Sequence, residues 1–180
     1  MVKWLYATIA GIIGAGIVHI ATLLLIPAVS DIDTWTRLSA FGNLNEFHQI
    51  ELTGSAAASI RALDPTFQVA ACRFDLADGP VEIASPETAP FWSLSIYNRR
   101  GENIFSINDR TANEALLDVI VATPAQVVDL RKAQTPEIDT SILAETDIGE
   151  GFVVLRAFVE DDSMRPAIAA FLEEASCDLF

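Results

Sequence analysis

"FQVAACRFDLADGPVEIASPETAPFWSLSIYNRRGENIFSINDR", residues 67–110, decides the fold. Short runs rich in Val, Ile and Phe alternate with clusters of Gly, Pro, Asp and Asn, the pattern of strands cut by turns. Residues 67–76 read as one strand, 77–80 as a tight turn, 81–85 as a second strand and 86–90 as a loop. In the next run Trp92, Leu94 and Ile96 fall on one face and Ser93, Ser95 and Tyr97 on the other, the period of a half-buried strand. Residues 103–108 read as its short partner.

The pattern continues downstream. Residues 116–130 read as a strand, a turn at Thr123-Pro124, and then another strand or a short helix. The β-branched run "GFVVLRAFVE", 151–160, reads as a central strand. The end reads as a helix capped by Asp162 or Ser163, with Pro166 tolerated in its first turn. Met164, Ile168, Phe171, Leu172 and Ala175 share one face of it. The expected fold is therefore mainly β, an antiparallel sandwich-like domain over 67–180, with a packing helix at its C-terminal end.

Upstream the chemistry changes. From Trp4 to Ile26 no residue carries a formal charge, enough for a helix of roughly 35 Å against a hydrocarbon core about 30 Å thick. Residues 1–30 are thus expected to form a transmembrane anchor ended by Pro27. Ala28-Val29-Ser30 is also the small-x-small pattern that signal peptidases cut, but the apolar run is longer than the usual signal core. Residues 31–66 are of mixed polarity and read as a juxtamembrane segment with a turn or two of helix, followed by a turn at Asp64-Pro65. Lys3 ahead of the span, with Asp31 and Asp33 behind it, orients the amino terminus inward. The β domain is then expected outside the cytoplasm.

Charge narrows the partners. The chain holds 25 acids and 11 Lys and Arg, a formal net charge of −14. All the acids follow residue 30, so the domain repels polyanions and nucleic acid is not an expected partner. Cys72 and Cys177 are the only cysteines, and in an exported chain the pair reads as a disulfide. With no histidine beside them they make a poor metal site, and no cofactor motif is present. The only histidines are His19, inside the span, and His48.

Against the acidic background, Arg99, Arg100 and Arg110 gather within one short window with Asn98, Asn103 and Asn108. One reading is a solvated hairpin tip, in which Gly101 supplies a positive φ. The sharper one is a clamp for a small anion or carboxylate, formed by Arg110 with a tip arginine, because the guanidinium fork suits such ligands. No nucleophile elbow, phosphate loop or catalytic histidine is present in the β domain. An enzyme would have to rely on carboxylates such as Asp75 and Asp78, with Arg110, around a small or carbohydrate-like substrate. The run Glu160-Asp161-Asp162 precedes the terminal helix, where acids suit its dipole.

The segment 72–110, through "DLADGPVEI", "FWSLSIYNRRG" and "INDR", resembles a family known only as domain of unknown function 1254. That resemblance implies an exported β-rich protein of the compact, membrane-anchored proteobacterial kind. It carries over no catalytic residue. The chain is expected to be a binding or assembly module of the cell envelope, and more readily a module than an enzyme.

The span has two unlike faces. At about 100° per residue, Ala7, Ala10, Gly11, Gly14, Val18, Ala21 and Thr22 gather on one side, opposite Leu5, Ile9, Ile12, Ile13, Ile20, Leu23 and Leu24. Gly16 alone breaks the division. Small residues on one face admit a second helix, its own copy or another protein's, and His19 at the edge could hydrogen-bond across to it.

Overall fold

The computed structural model describes residues 2–29, 35, 38–39, 42–50, 64, 66–133, 138 and 140–180. Ser30, Asp31, Asp33, Arg37, Pro65 and most of the expected juxtamembrane segment lie outside them. The chain forms two units, residues 1–33 and 34–180.

The first unit is helix α1, Val2–Val29. Its Val2–Leu25 portion, with mean hydropathy 2.1, is the one helix among the described residues long and apolar enough to cross a membrane. Its apolar side chains are exposed. The helix runs past Pro27 into one last turn; the missing proline N–H there costs it a single bond. Thr8 Oγ1 donates to Trp4 O, and Thr22 Oγ1 to Val18 O and His19 O, so both hydroxyl protons are used inside the helix.

The second unit is two sheets. Strands β1 (His48–Gln49), β2 (Phe67–Asp75), β8 (Glu150–Phe158), β4 (Trp92–Asn98) and β5 (Asn103–Asn108) form the first, in that spatial order. Strands β7 (Ile142–Glu145), β6 (Leu117–Ala122), β3 (Val81–Ser85) and β9 (Ser176–Leu179) form the second. The expected antiparallel pairing holds throughout the first sheet, and only β6 and β7 run parallel. Helix α2, Pro124–Ala133, follows β6 and precedes β7 in the chain, as a parallel crossover requires. It begins at a capping box: Gln126 Oε1 accepts from Thr123 N at 2.8 Å, and Gln126 N donates back to Thr123 Oγ1 at 3.4 Å. Pro124 at its first position gives up no bond the helix needed.

The core lies between the sheets. β2 sends in Ala70, Cys72 and Phe74, β8 sends Val153, Leu155 and Ala157, and β4 sends Trp92, Leu94 and Ile96. Helix α3, Arg165–Glu173, adds Ile168, Phe171 and Leu172, the face read from its spacing. Its start differs from expectation: Asp161, one residue earlier, accepts from Ser163 N and caps a 3₁₀ turn at Asp162–Met164 that leads into the helix. Hydrogen bonds from the Ser163 hydroxyl and then its backbone N–H hold the Asp161 carboxyl below its ordinary pKa. Asp162 meanwhile pairs with Arg165 at 2.8 Å. Gly151, on the inner side of β8, is required by close approach: a Cβ there would lie 2.6 Å from the Phe74 ring and 2.7 Å from Tyr97 O.

After α3 the chain does not stop at a helix. It returns as β9 along β3, with Cys177 opposite Ile83. Cys72 and Cys177 are buried and stand at disulfide distance, with Cα atoms 6.5 Å apart. The link therefore ties the middle of one sheet to an edge strand of the other. It closes a separation of 105 residues, worth on the order of 4–5 kcal/mol as an upper figure from loop entropy. Unreduced protein should give the mass of the oxidised chain. Reductant, or Cys177→Ser, should lower the denaturant midpoint; two alkylatable thiols in native protein would refute the pairing.

Candidate functional site

The structure separates the three arginines of the opening window. Arg99 and Arg100 stand at the tip between β4 and β5. Arg110 is exposed beyond the other end of β5, where Asp109 N meets Trp92 O at the start of β4. The two ends of β4 are roughly 20 Å apart at about 3.3 Å per residue, so Arg110 and the tip arginines do not converge on one ligand.

The tip itself is a built turn. Asn98 Oδ1 accepts from the backbone N–H of both Arg100 and Glu102, each at 3.0 Å. Gly101 takes φ of 86°, which a side chain would strain. Asn98 Nδ2 and Arg100 Nη2 both donate to Glu102, holding its carboxyl below the ordinary range. Asp75 and Asp78 belong to another turn, between β2 and β3: Asp75 Oδ1 accepts from Ala77 N at 2.9 Å, and Asp78 N donates to Asp75 O. Both aspartates serve the turn, and Asp78 is exposed.

The chemistry instead collects on the outer face of the first sheet. Period-2 alternation puts Val69, Ala71, Arg73 and Asp75 of β2, Glu150, Phe152, Val154 and Arg156 of β8, and Ser93, Ser95 and Tyr97 of β4 on that face. Tyr97 stacks on Phe152 with ring centroids 5.1 Å apart. Burial pushes the Tyr97 phenol up, but hydrogen bonds with Ser95 and Asn103 and the charge of Arg156 outweigh it, and the net shift is downward. Ser106 Oγ bridges toward Ser95 Oγ at 3.1 Å and Asn103 at 2.9 Å, completing a polar rim.

Beside this rim lies Arg73, only 9% exposed. The one hydrogen bond that its guanidinium makes among the described residues runs from Nη2 to Gly42 O at 2.9 Å. The Trp35 ring covers one face of the guanidinium, 4.6 Å from Cζ, and Arg99 Cζ lies 5.0 Å from the same ring. Arg99 also reaches Glu150 at 2.5 Å. Arg73 Nε is buried without a partner, as are Trp35 Nε1 and His48 Nε2. Burial alone pushes the Arg73 guanidinium below its ordinary value. A small pocket of about 10 Å³, room for one water-sized group, is lined by Arg73, His48, Asn43 and Gly42 together with the apolar Leu38, Ile50 and Ala71.

Sequence reading passed over Arg73 and Trp35. The available signal was a charged residue inside "VAACRF" on the same face as Val69 and Ala71; what makes that face buried is the pairing of β1 with β2 and the bridge from Leu44 to Arg73. Among the described residues, no three His, Cys, Asp or Glu side chains come together as a metal would need. The arrangement can bind and orient a charge.

One solved structure is similar to this fold. A family profile described as "Protein of unknown function (DUF1254)" matches residues 44–178. The crystal structure of the VPA0106 protein from Vibrio parahaemolyticus is similar with a TM-score of 0.61 at 13% identity, covering 81% of this chain and 32% of that one. A putative uncharacterized protein from Burkholderia cenocepacia aligns with a TM-score of 0.49 at 15% identity, over 69% of this chain and 34% of that one. The chain thus spans about a third of the length of these solved structures. No curated protein matches it.

The tip predicts its own energetics. Asn98→Ala removes an acceptor from two N–H groups and should cost about 1–2 kcal/mol in urea unfolding. Arg100→Ala, on a fully solvated pair, should leave the midpoint unchanged. Equal losses from both would mean that the arginine, not the turn, holds the hairpin.

Proposed function

We propose, from the premise that the chain belongs to the DUF1254 family, that it is a single-pass inner-membrane protein whose β domain lies in the periplasm and serves as a binding or assembly module of the cell envelope. The observation that carries this reading is the exposed apolar stretch Val2–Leu25, long enough to span a bilayer. The Cys72–Cys177 pair supports an oxidising compartment for the domain. Orientation rests on Lys3 before the span and the acids that follow it.

The contact that positions the module is helix to helix. Both faces of α1 are apolar, so its two sides differ in size, not in polarity. Nothing lies within 4 Å of a Cβ built at Gly11 or Gly14, and that narrow face would let a second backbone approach closely. Val18 and His19 extend the same strip. Because both threonine protons are already spent within the helix, His19 rather than a threonine is placed to bond across.

Two measurements test the reading. A reporter fused after Phe180 should be active only if it functions outside the cytoplasm; recovery of a soluble mature form beginning near Asp31 would show a cleaved signal instead of an anchor. Gly11→Ile with Gly14→Ile should abolish crosslinking of α1 in membranes, whereas Ile12→Leu and Leu23→Ile should not. If all variants crosslink like the wild type, the helix is an anchor and nothing more.

A further inference from the structure

Buried charge in proteins is ordinarily paired, because a lone ion in the interior loses its hydration without recompense. Arg73 departs from that rule. It is nine-tenths buried, it makes no ion pair with a described carboxylate, and its Nε has no acceptor. Other charges stand near but are engaged. Arg99 is bound to Glu150, and Glu46 lies 3.7 Å from His48 Nε2. Asp75, on the same strand face, is spent on its turn.

We propose that the pocket lined by Arg73, His48 and Asn43 binds a compact monoanion, either a halide or one oxygen of a carboxylate whose remainder points outward. Three observations shape the ligand. The cavity of about 10 Å³ admits a single atom-sized group, so a larger anion could seat only one oxygen in it. Arg73 Cζ lies over the Trp35 ring, 4.6 Å from its centroid, so the ligand must approach from another side, along an N–H donor. His48 Nε2 lies 3.7 Å from the Glu46 carboxylate and Asn43 Nδ2 donates to it at 3.3 Å, so the donor left to the ligand is Arg73 Nε–H. A water would satisfy an N–H but would leave the charge uncompensated; an anion does both. The domain's acidity does not forbid this, since a guanidinium at contact distance in a partly dry site outweighs scattered, solvent-screened surface carboxylates. The inference rests on the β domain alone and is independent of its topology in a membrane.

The test uses the full chain in detergent, titrated separately with sodium chloride and with sodium acetate. Binding should appear as a saturable rise in Tm of several degrees by about 100 times Kd, on top of the non-saturating effect of salt. Arg73→Met should erase the rise, and Arg73→Lys, which keeps the charge but lacks the Nε–H, should weaken it at least about tenfold. Should those variants fail to fold, the wild type still decides: one arginine Nε–H resonance should move on titration. A rise with chloride alone assigns the site to a free halide, and a rise with acetate as well assigns it to carboxylates. No saturable rise and no moving resonance, or a rise retained in Arg73→Met, overturns the proposal and leaves the pocket to water.

Discussion

The alternation along β8 is the constraint on which the domain depends. This strand sits between β2 and β4, and its register is continuous from Phe67 opposite Phe158 to Asp75 opposite Glu150. Every second side chain must therefore enter the core, and the others must face outward. Val153, Leu155 and Ala157 build the interior, while Glu150, Phe152 and Arg156 supply the ion-pair partner, the stacking ring and the charge of the outer face. A slip of one residue would exchange the two sets, so core and candidate site are specified by a single register.

The second sheet is attached by different means. Helix α3 presses Phe171 against Trp92, with ring centroids 6.5 Å apart, and Trp92 Nε1 donates to Ala115 O. Ser85 Oγ, buried in β3, donates to Phe171 O at 3.2 Å. The cysteine link joins β2 to β9. Packing, a few buried hydrogen bonds and one covalent tie thus do for the sheet-to-sheet contact what the ladder does within a sheet.

How much was legible follows from element length and from what each signal depends on. β2, β3, β4, β5 and β8 announced themselves, because five or more residues of period-2 or apolar pattern need no knowledge of neighbours. The face of α3 was readable for the same reason at period 3.6. β1, β7 and β9 are two to four residues long, and "SCDL" or "ILAE" becomes a strand only through the strand it pairs with. The helix option after Thr123 was open, and the Thr-Pro-x-Gln box that decides it was present in the sequence without being used. The site was least legible. Arg99 and Arg100 drew attention by clustering, yet clustering along the chain is a poor guide to convergence when a hairpin separates the ends. Arg73 was hidden because its burial comes from residues 42–49, far from it in sequence.

The placement of β2 and β8 also sets the order of events as the chain folds. β2 is made early, and both the strand it pairs with at the sheet centre and the strand that carries its cysteine partner come later than residue 149. Meanwhile an apolar strand with its core-facing side uncovered waits through more than seventy residues of synthesis, a species prone to joining the wrong edge. Local hairpins such as β4–β5 can form at once, but they cannot close the first sheet without β8. Folding of this domain is therefore dominated by long-range pairings, which places it among the slower topologies. For such a chain, protection before completion matters as much as stability after it.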